Sequence, residues 1–171
     1  MSGYQLTYSK TEDRLLFSVD DVQAVVALTR HLTREMLKAI AKVVAQQKSA
    51  TTGSSELTRN TVLNFEHSKA VTEAYADGTA RRVKQKSPDA ALLKLATAID
   101  IIGNKKGGAA LVFRDSEKLC TLSLDAPGVY VLLSTFLEMA ANAGWDFPEI
   151  AAWIEPARAP GQEQQPPKVL H

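Results

Sequence analysis

The sequence predicts an α+β fold made of two strand–strand–strand–helix units that share a core. In two regions, near the start of the chain and from residue 98 onward, apolar and polar residues alternate as they do in half-buried strands. Each alternating region is followed by an apolar stripe of helical period. The two runs, residues 4–33 and 95–125, are also similar in length. A pseudo-repeat is therefore predicted, and chance similarity between two common hairpin-and-helix units is the alternative.

The first unit is expected to occupy residues 1–47. Alternation predicts strands over residues 4–9 and 14–20, and an apolar run predicts a third strand over residues 22–28. Thr33 is the expected N-cap of a helix that ends near Gln47. The apolar stripe of this helix is made of Met36, Leu37, Ile40 and Val44.

Residues 48–92 are expected to connect the two units. The stretch 48–56 reads as a flexible polar linker, and Asn60 is the expected N-cap of a helix over residues 61–76. That helix has only a thin apolar stripe, so it should lie on a surface or cover an edge; the stripe contains Val62, Phe65, Val71 and Tyr75. A polar, basic loop is expected after Gly78.

The second unit is expected over residues 93–155. Its strands are predicted at residues 98–103, 109–114 and 119–124. Asp125 is the expected N-cap of its helix, Pro127 suits the first turn, and Gly144 is the expected stop. A wide apolar stripe on this helix predicts burial of Val129, Leu132, Leu133, Phe136, Leu137 and Ala140. A short helix should follow, and residues 156–171 should form a flexible tail rich in proline and glutamine.

Composition excludes several classes of protein. The formal net charge is +1, so no global field draws the chain toward nucleic acid or an anionic membrane. Cys120 is the single cysteine, which leaves no internal disulfide. The first residues contain no apolar signal segment, and no run of about 18 apolar residues is present. The expectation is a cytoplasmic protein that does not associate with a membrane.

No pattern predicts a catalytic, metal or cofactor site. The three histidines, His31, His67 and His171, lack the spacing of paired metal ligands. We expect His31 at a strand-to-helix boundary and His67 on a solvated helix surface. Cys120 shares a strand face with apolar residues, so it is expected to be a buried, inert thiol. The glycines of residues 103–108 read as a turn, because the order of a phosphate-binding loop is missing.

The predicted order of elements resembles the two-repeat sheet-and-helix modules of the PUR-alpha and Whirly families. The resemblance covers the two units and is topological, without signature residues. It implies binding of single-stranded DNA or RNA. Tyr4, Tyr8 or Phe113 would supply base stacking if exposed on an open sheet face, and core burial is the alternative. The candidate phosphate-binding residues are Arg81, Arg82, Lys84, Lys86, Lys105 and Lys106.

Association with protein is the leading functional expectation. Three large aromatic residues, Trp145, Phe147 and Trp153, fall in one short segment and are typical interface anchors. Capping of the second unit's core is the other interpretation of these residues. The expected partner is a second copy of the chain or another protein, in a non-enzymatic role. Nucleic-acid binding ranks second because aromatics are few and the net charge is near zero.

Overall fold

The first part of the chain forms three antiparallel strands followed by a long helix. The computed structural model describes residues 3–20, 22, 24–52, 56–76 and 92–151. Strands β1 (Tyr4–Ser9) and β2 (Arg14–Val19) are confirmed, while β3 (Val25–Leu28) begins later than the expected residue 22.

Helix α1 (Arg30–Thr52) begins earlier than its predicted N-cap. Thr29 takes the capping position, because its Oγ1 accepts a hydrogen bond from the Leu32 backbone N–H at 3.2 Å. The prediction of Thr33 as N-cap is therefore wrong. Thr33 lies inside the helix, and its side chain is fully buried.

The connection between the first two helices is much shorter than predicted. Helix α1 continues to Thr52 and helix α2 (Glu56–Ala76) begins four residues later, so most of the expected linker at residues 48–56 is helical. Asn60 lies within α2 and is not its N-cap. Of residues 48–52 only Lys48 and Ala50 are strong helix formers, so the composition of this segment did not show that the helix continues.

The buried stripe of α2 also differs from the prediction. Its buried residues are Leu63, His67, Ala70, Val71 and Ala74. Phe65, which the prediction placed in the stripe, is 70% exposed, and Tyr75 is exposed as well. The helix therefore packs through small side chains, with α3 and α1 as its neighbours.

The second half of the chain follows its predicted order closely. After the short strand β4 (Leu93–Leu95) come β5 (Ala98–Gly103), β6 (Ala109–Arg114) and β7 (Lys118–Leu124). Helix α3 (Ala126–Asn142) and the short helix α4 (Pro148–Ala151) complete the described part.

The ends of α3 confirm the predicted caps. Asp125 Oδ1 accepts a hydrogen bond from the Gly128 N–H at 2.9 Å, and Pro127 lies in the first turn. The chain leaves the helix through Gly144 at φ +72°, a conformation that favours glycine.

The seven strands form two sheets connected by one extended segment. The first sheet has the order β1-β2-β3-β4, with β4 parallel to β3, and the second has the antiparallel order β5-β6-β7. The Ala96 N–H donates to Ala27 O in the first sheet at 3.0 Å, and the adjacent Thr97 N–H donates to Arg114 O in the second at 2.8 Å. The segment β4–β5 therefore passes directly from one sheet to the other.

One hydrophobic cluster contains buried residues from both sheets and from all four helices. At its centre the ring of Phe17 lies 4.8 Å from Phe113 and 5.9 Å from Phe136, measured between centroids. Helix α1 packs beside β5, and helix α3 packs beside β1. The α+β class is confirmed, with two sheets and three long helices in the described residues, while the four-part division of the chain stays a prediction.

Candidate functional site

The outer face of the first sheet is apolar on one half. Strand pairing turns Leu15, Phe17 and Val19 toward the core and places the intervening residues on the outer face. One row across this outer face contains Thr7, Leu16, Ala27 and Leu95. Ala27 of β3 is fully buried, whereas Leu95 remains 40% exposed at the end of that row, so the exposed aliphatic surface lies on the edge strand β4.

The outer face of the second sheet combines an ion pair with aliphatic surface. Arg114 Nε lies 2.6 Å from Asp100 Oδ2, which joins two cross-strand neighbours. Further along β5, Ile102 is 61% exposed. Opposite Ile102 lies Ala110 of β6, and beyond that lies Ser123 of β7. The strand register places no aromatic side chain on this outer face.

Lys105 and Lys106 are exposed on the hairpin turn between β5 and β6. Asn104 orders this turn, because its Oδ1 accepts hydrogen bonds from the Lys106 and Gly108 N–H groups at 2.9 and 3.0 Å. Gly108 is required there, since a Cβ would lie 2.3 Å from Leu124 O. The other members of the predicted basic patch lie outside the described residues: Arg81, Arg82, Lys84 and Lys86.

The aromatic residues considered for base stacking contribute to packing within the chain. Phe113 is fully buried in the core, which agrees with the core-burial alternative and leaves no ring for base stacking at this position. Tyr4 is half-buried against Phe17, with ring centroids 5.8 Å apart, and burial raises the pKa of its phenol. Tyr8 is half-buried too, and its hydroxyl donates to Asp13 Oδ1 at 2.7 Å.

Trp145 and Phe147, the candidate interface anchors, are buried in the chain's own core. The Trp145 ring meets Tyr8 edge-on at 6.0 Å, and its Nε1–H donates to Asp13 Oδ1 at 2.9 Å. Their contacts match the core-capping interpretation, in which the side chains offer little surface to a partner. The third anchor, Trp153, lies outside the described residues.

Asp13 connects the β1–β2 turn to the end of α3. One carboxylate oxygen accepts from both Tyr8 and Trp145, and these two hydrogen bonds lower the pKa of the Asp13 carboxyl. The residue has φ +50°, a left-handed conformation that aspartate tolerates better than most residues. The hydrogen bond from Trp145, which is 132 residues away in sequence, attaches this turn to the segment that follows α3.

A buried polar cluster lies between α2 and α3, where the sequence predicted solvent. His67 is fully buried, and its Nε2 is 2.8 Å from Ser134 Oγ. Among the described residues no partner reaches its Nδ1. Burial lowers the pKa of the imidazole from 6.5 to about 4. The prediction of a solvated His67 is therefore wrong; its spacing from Leu63, Ala70 and Val71 was the available signal.

Two further side chains complete this cluster. The Tyr130 ring meets the His67 imidazole edge-on at 6.0 Å, and its hydroxyl donates to Glu66 Oε2 at 3.1 Å. Burial, followed by the Glu66 carboxylate, raises the pKa of the Tyr130 phenol. Although a serine and a histidine share a hydrogen bond, the buried imidazole gives a substrate no direct access.

Cys120 is buried on the core face of β7, as predicted. Burial raises the pKa of its thiol to about 11, which leaves little thiolate at neutral pH. His31 lies in the first turn of α1 and is exposed. Within the described ranges, no three histidine, cysteine or acidic side chains are grouped as metal ligands would be.

Comparison with known proteins adds no family to this geometry. The chain matches no protein-family model, no curated protein and no solved structure. Among the helices of the described part, none combines the length and apolar character needed to cross a membrane.

Proposed function

We propose that the protein is a non-enzymatic module that docks to another protein chain, with a second copy of itself as the first partner to test. The observation that carries this proposal is the exposed aliphatic surface along the segment that joins the two sheets. Leu92, Leu95 and Ile102 are 38%, 40% and 61% exposed. Burying these side chains against a partner would be favourable in proportion to the apolar area removed from water.

The chemistry of the outer faces favours protein over nucleic acid as the partner. Single-stranded nucleic acid is usually held by aromatic side chains that stack on bases, beside a basic groove. In the described part of the two sheets, the aromatic rings pack in the core or against other side chains. The exposed aromatics, Phe65 and Tyr75, lie on α2. Lys105 and Lys106 therefore have no stacking partner from the sheets.

We also propose that the two strand–strand–strand–helix runs form a structural repeat, as the sequence suggested. Thr29 and Asp125, which cap α1 and α3, are 96 residues apart. The same offset relates five buried positions of α1 to five of the seven buried positions of α3. Those of α1 are Thr33, Met36, Leu37, Ile40 and Val44, and those of α3 are Val129, Leu132, Leu133, Phe136 and Ala140.

Packing between the halves supports the same relation. Helix α1 packs beside β5, the first strand of the second run, and α3 packs beside β1, the first strand of the first run. Such a reciprocal exchange buries both helices in one core and leaves the outer sheet faces to contact a partner. In such a repeat each half contributes one outer sheet face, so both halves contribute to the exposed aliphatic surface.

The non-enzymatic part of the proposal rests on burial. The described serine–histidine pair, Ser134 and His67, is enclosed between helices, and the thiol of Cys120 faces the core. A nucleophile must reach its substrate, so these groups serve packing better than chemistry.

The first experiment measures mass in solution by light scattering over a range from about 1 to 100 µM, a span that covers weak to moderate association. The Leu95→Lys/Ile102→Lys double variant should shift the chain toward monomer, because lysine blocks apolar sheet contacts. The matched control is Gln46→Lys/Asn142→Lys, which adds the same charge to exposed helix positions away from the outer sheet faces. A chain that is monomeric throughout this range would contradict self-association.

A second experiment separates protein docking from nucleic-acid binding. Fluorescently labelled single-stranded oligonucleotides are titrated at low and at physiological salt, with the Arg81→Ala/Arg82→Ala variant beside the unchanged chain. We expect no binding at physiological salt. Micromolar or tighter binding that weakens steeply with salt and is lost in the arginine variant would place nucleic acid first. The Leu95→Lys/Ile102→Lys variant should then bind more tightly, whereas protein association would weaken.

A further inference from the structure

Over residues 62–76, for which side-chain burial is described, helix α2 buries a smaller apolar surface than the described parts of α1 and α3. Its buried residues are Leu63, Ala70, Val71, Ala74 and His67. Helix α3, by contrast, buries Val129, Tyr130, Leu132, Leu133, Phe136 and Ala140. Since stabilisation scales with buried apolar area, α2 should be the long helix that leaves the core at the lowest cost.

The polar group in this contact is a histidine whose charge the surroundings cannot accommodate. Ser134 Oγ meets one imidazole nitrogen, and the other nitrogen has no partner in the described residues. Protonation makes both nitrogens donors, so the second would become a buried donor without an acceptor beside a newly buried charge. Both effects disappear when α2 leaves and the imidazole reaches water.

Few ionisable groups are placed to offset that charge. On α3 the titratable side chains around Ser134 are Tyr130, whose hydroxyl already donates to Glu66 of α2, and the exposed Glu138, one turn further along. The next charged residue on α2 is Lys69, which is exposed and pairs with Glu73 at 3.9 Å. On α1, which also packs against α2, the charged residues beyond the first turn are Arg34, Glu35, Lys38, Lys42 and Lys48. Glu35 and Lys38 pair with each other at 3.1 Å.

We propose that α2 is an acid-released helix: protonation of His67 detaches it from α1 and α3 while the two sheets and the remaining helices stay folded. The buried apolar stripe of α2 and the facing side of α3 become exposed together. Surfaces that are closed near neutral pH would thereby become available in an acidic environment.

The test measures distances between spin labels in the full chain at pH 7.5 and pH 4.5. Labels on cysteines replacing Lys69 of α2 and Glu138 of α3 report the helix contact, in a Cys120→Ala background. A reference pair replaces Lys42 of α1 and Glu138 of α3. The α2–α3 distance should lengthen and broaden at low pH while the reference distance is retained. Between pH 7.5 and pH 4.5 the equilibrium constant for docking of α2 should fall roughly 100-fold. The reason is that an imidazole released into water binds a proton near pH 6.5, whereas the buried imidazole resists protonation.

Substitution of His67 distinguishes the release of α2 from unfolding of the whole chain in acid. The His67→Gln variant should keep the short α2–α3 distance at both pH values, and His67→Leu serves the same purpose if the glutamine variant does not fold. Exposed His31→Gln is the matched control and should behave as the unchanged chain. An α2–α3 distance that stays unchanged at pH 4.5 would overturn the proposal. A change shared by the reference pair, or one that persists without His67, would overturn it as well.

Discussion

Replacement of Phe136 by alanine tests the contact that joins the two halves of the core. Phe136 is fully buried on α3, and its ring lies 5.9 Å from Phe17 of the first sheet. Phe17 in turn lies 4.8 Å from Phe113 of the second sheet. The substitution therefore removes the ring that α3 contributes to the cluster between the two sheets.

The expected loss follows from the buried area. A phenylalanine removes roughly 150–250 Å² from water, which at about 25 cal/mol per Å² corresponds to about 4–6 kcal/mol. Alanine retains the β-carbon, and partial collapse of the cavity recovers some of the loss. The free energy of unfolding should therefore fall by about 3–5 kcal/mol, the usual range for emptying a buried phenylalanine site.

Urea unfolding followed by circular dichroism measures this difference, with the midpoint and slope fitted together. The matched control is Phe65→Ala on α2, where the same side chain is 70% exposed and the loss should stay within about 0.5 kcal/mol. A loss below about 1 kcal/mol for Phe136→Ala, or equal losses for the two variants, would refute the packing of α3 described above.

Three further substitutions or measurements test single buried groups. Thr33 has a buried hydroxyl without a partner in the described part, so Thr33→Val should raise the free energy of unfolding by about 1 kcal/mol; a loss of stability in urea would reject this assignment. A thiol reagent should label Cys120 slowly in the folded chain and rapidly in denaturant, and fast native labelling would show an accessible thiol. Because the His67 pKa is about 4 when folded and 6.5 when unfolded, the unfolded state binds more protons between these values. Stability should therefore be complete above about pH 7 and fall by about 3 kcal/mol toward pH 4, and a His67→Gln variant with the same pH profile would contradict this.

Features specified by neighbouring residues were predicted well from the sequence. Asp125 and Pro127 mark the start of α3 and Gly144 its end, because cap geometry depends on a few adjacent backbone groups. Strands β5, β6 and β7 were also predicted at nearly their observed bounds. The alternation is clear in β7, where Thr121 and Ser123 lie between buried apolar residues, and weaker in β5 and β6, whose outer positions include Ile102 and Val112. The aliphatic outer surface was not anticipated, because strand patterns do not show which exposed residues become neighbours.

Features that depend on distant partners were predicted poorly. The sequence-based prediction placed His67 in solvent. Its spacing from Leu63, Ala70 and Val71 indicated the buried face, but nothing in the sequence indicates the Ser134 hydroxyl that meets it from α3. Strand β4 was missed as well, since three residues make too short a pattern and only the parallel edge of β3 defines them as a strand.

By itself the sequence determined the α+β class, the order of most strands and helices, and the apolar face of α1 and α3. These properties arise from residue periodicity and local hydrogen bonding, which act within a few positions of the chain. The tertiary structure alone decided that one segment passes between two sheets, that Phe17, Phe113 and Phe136 meet, and that an imidazole is enclosed between helices. Such contacts form between residues far apart in sequence, so their geometry is set by how all the elements fill one core.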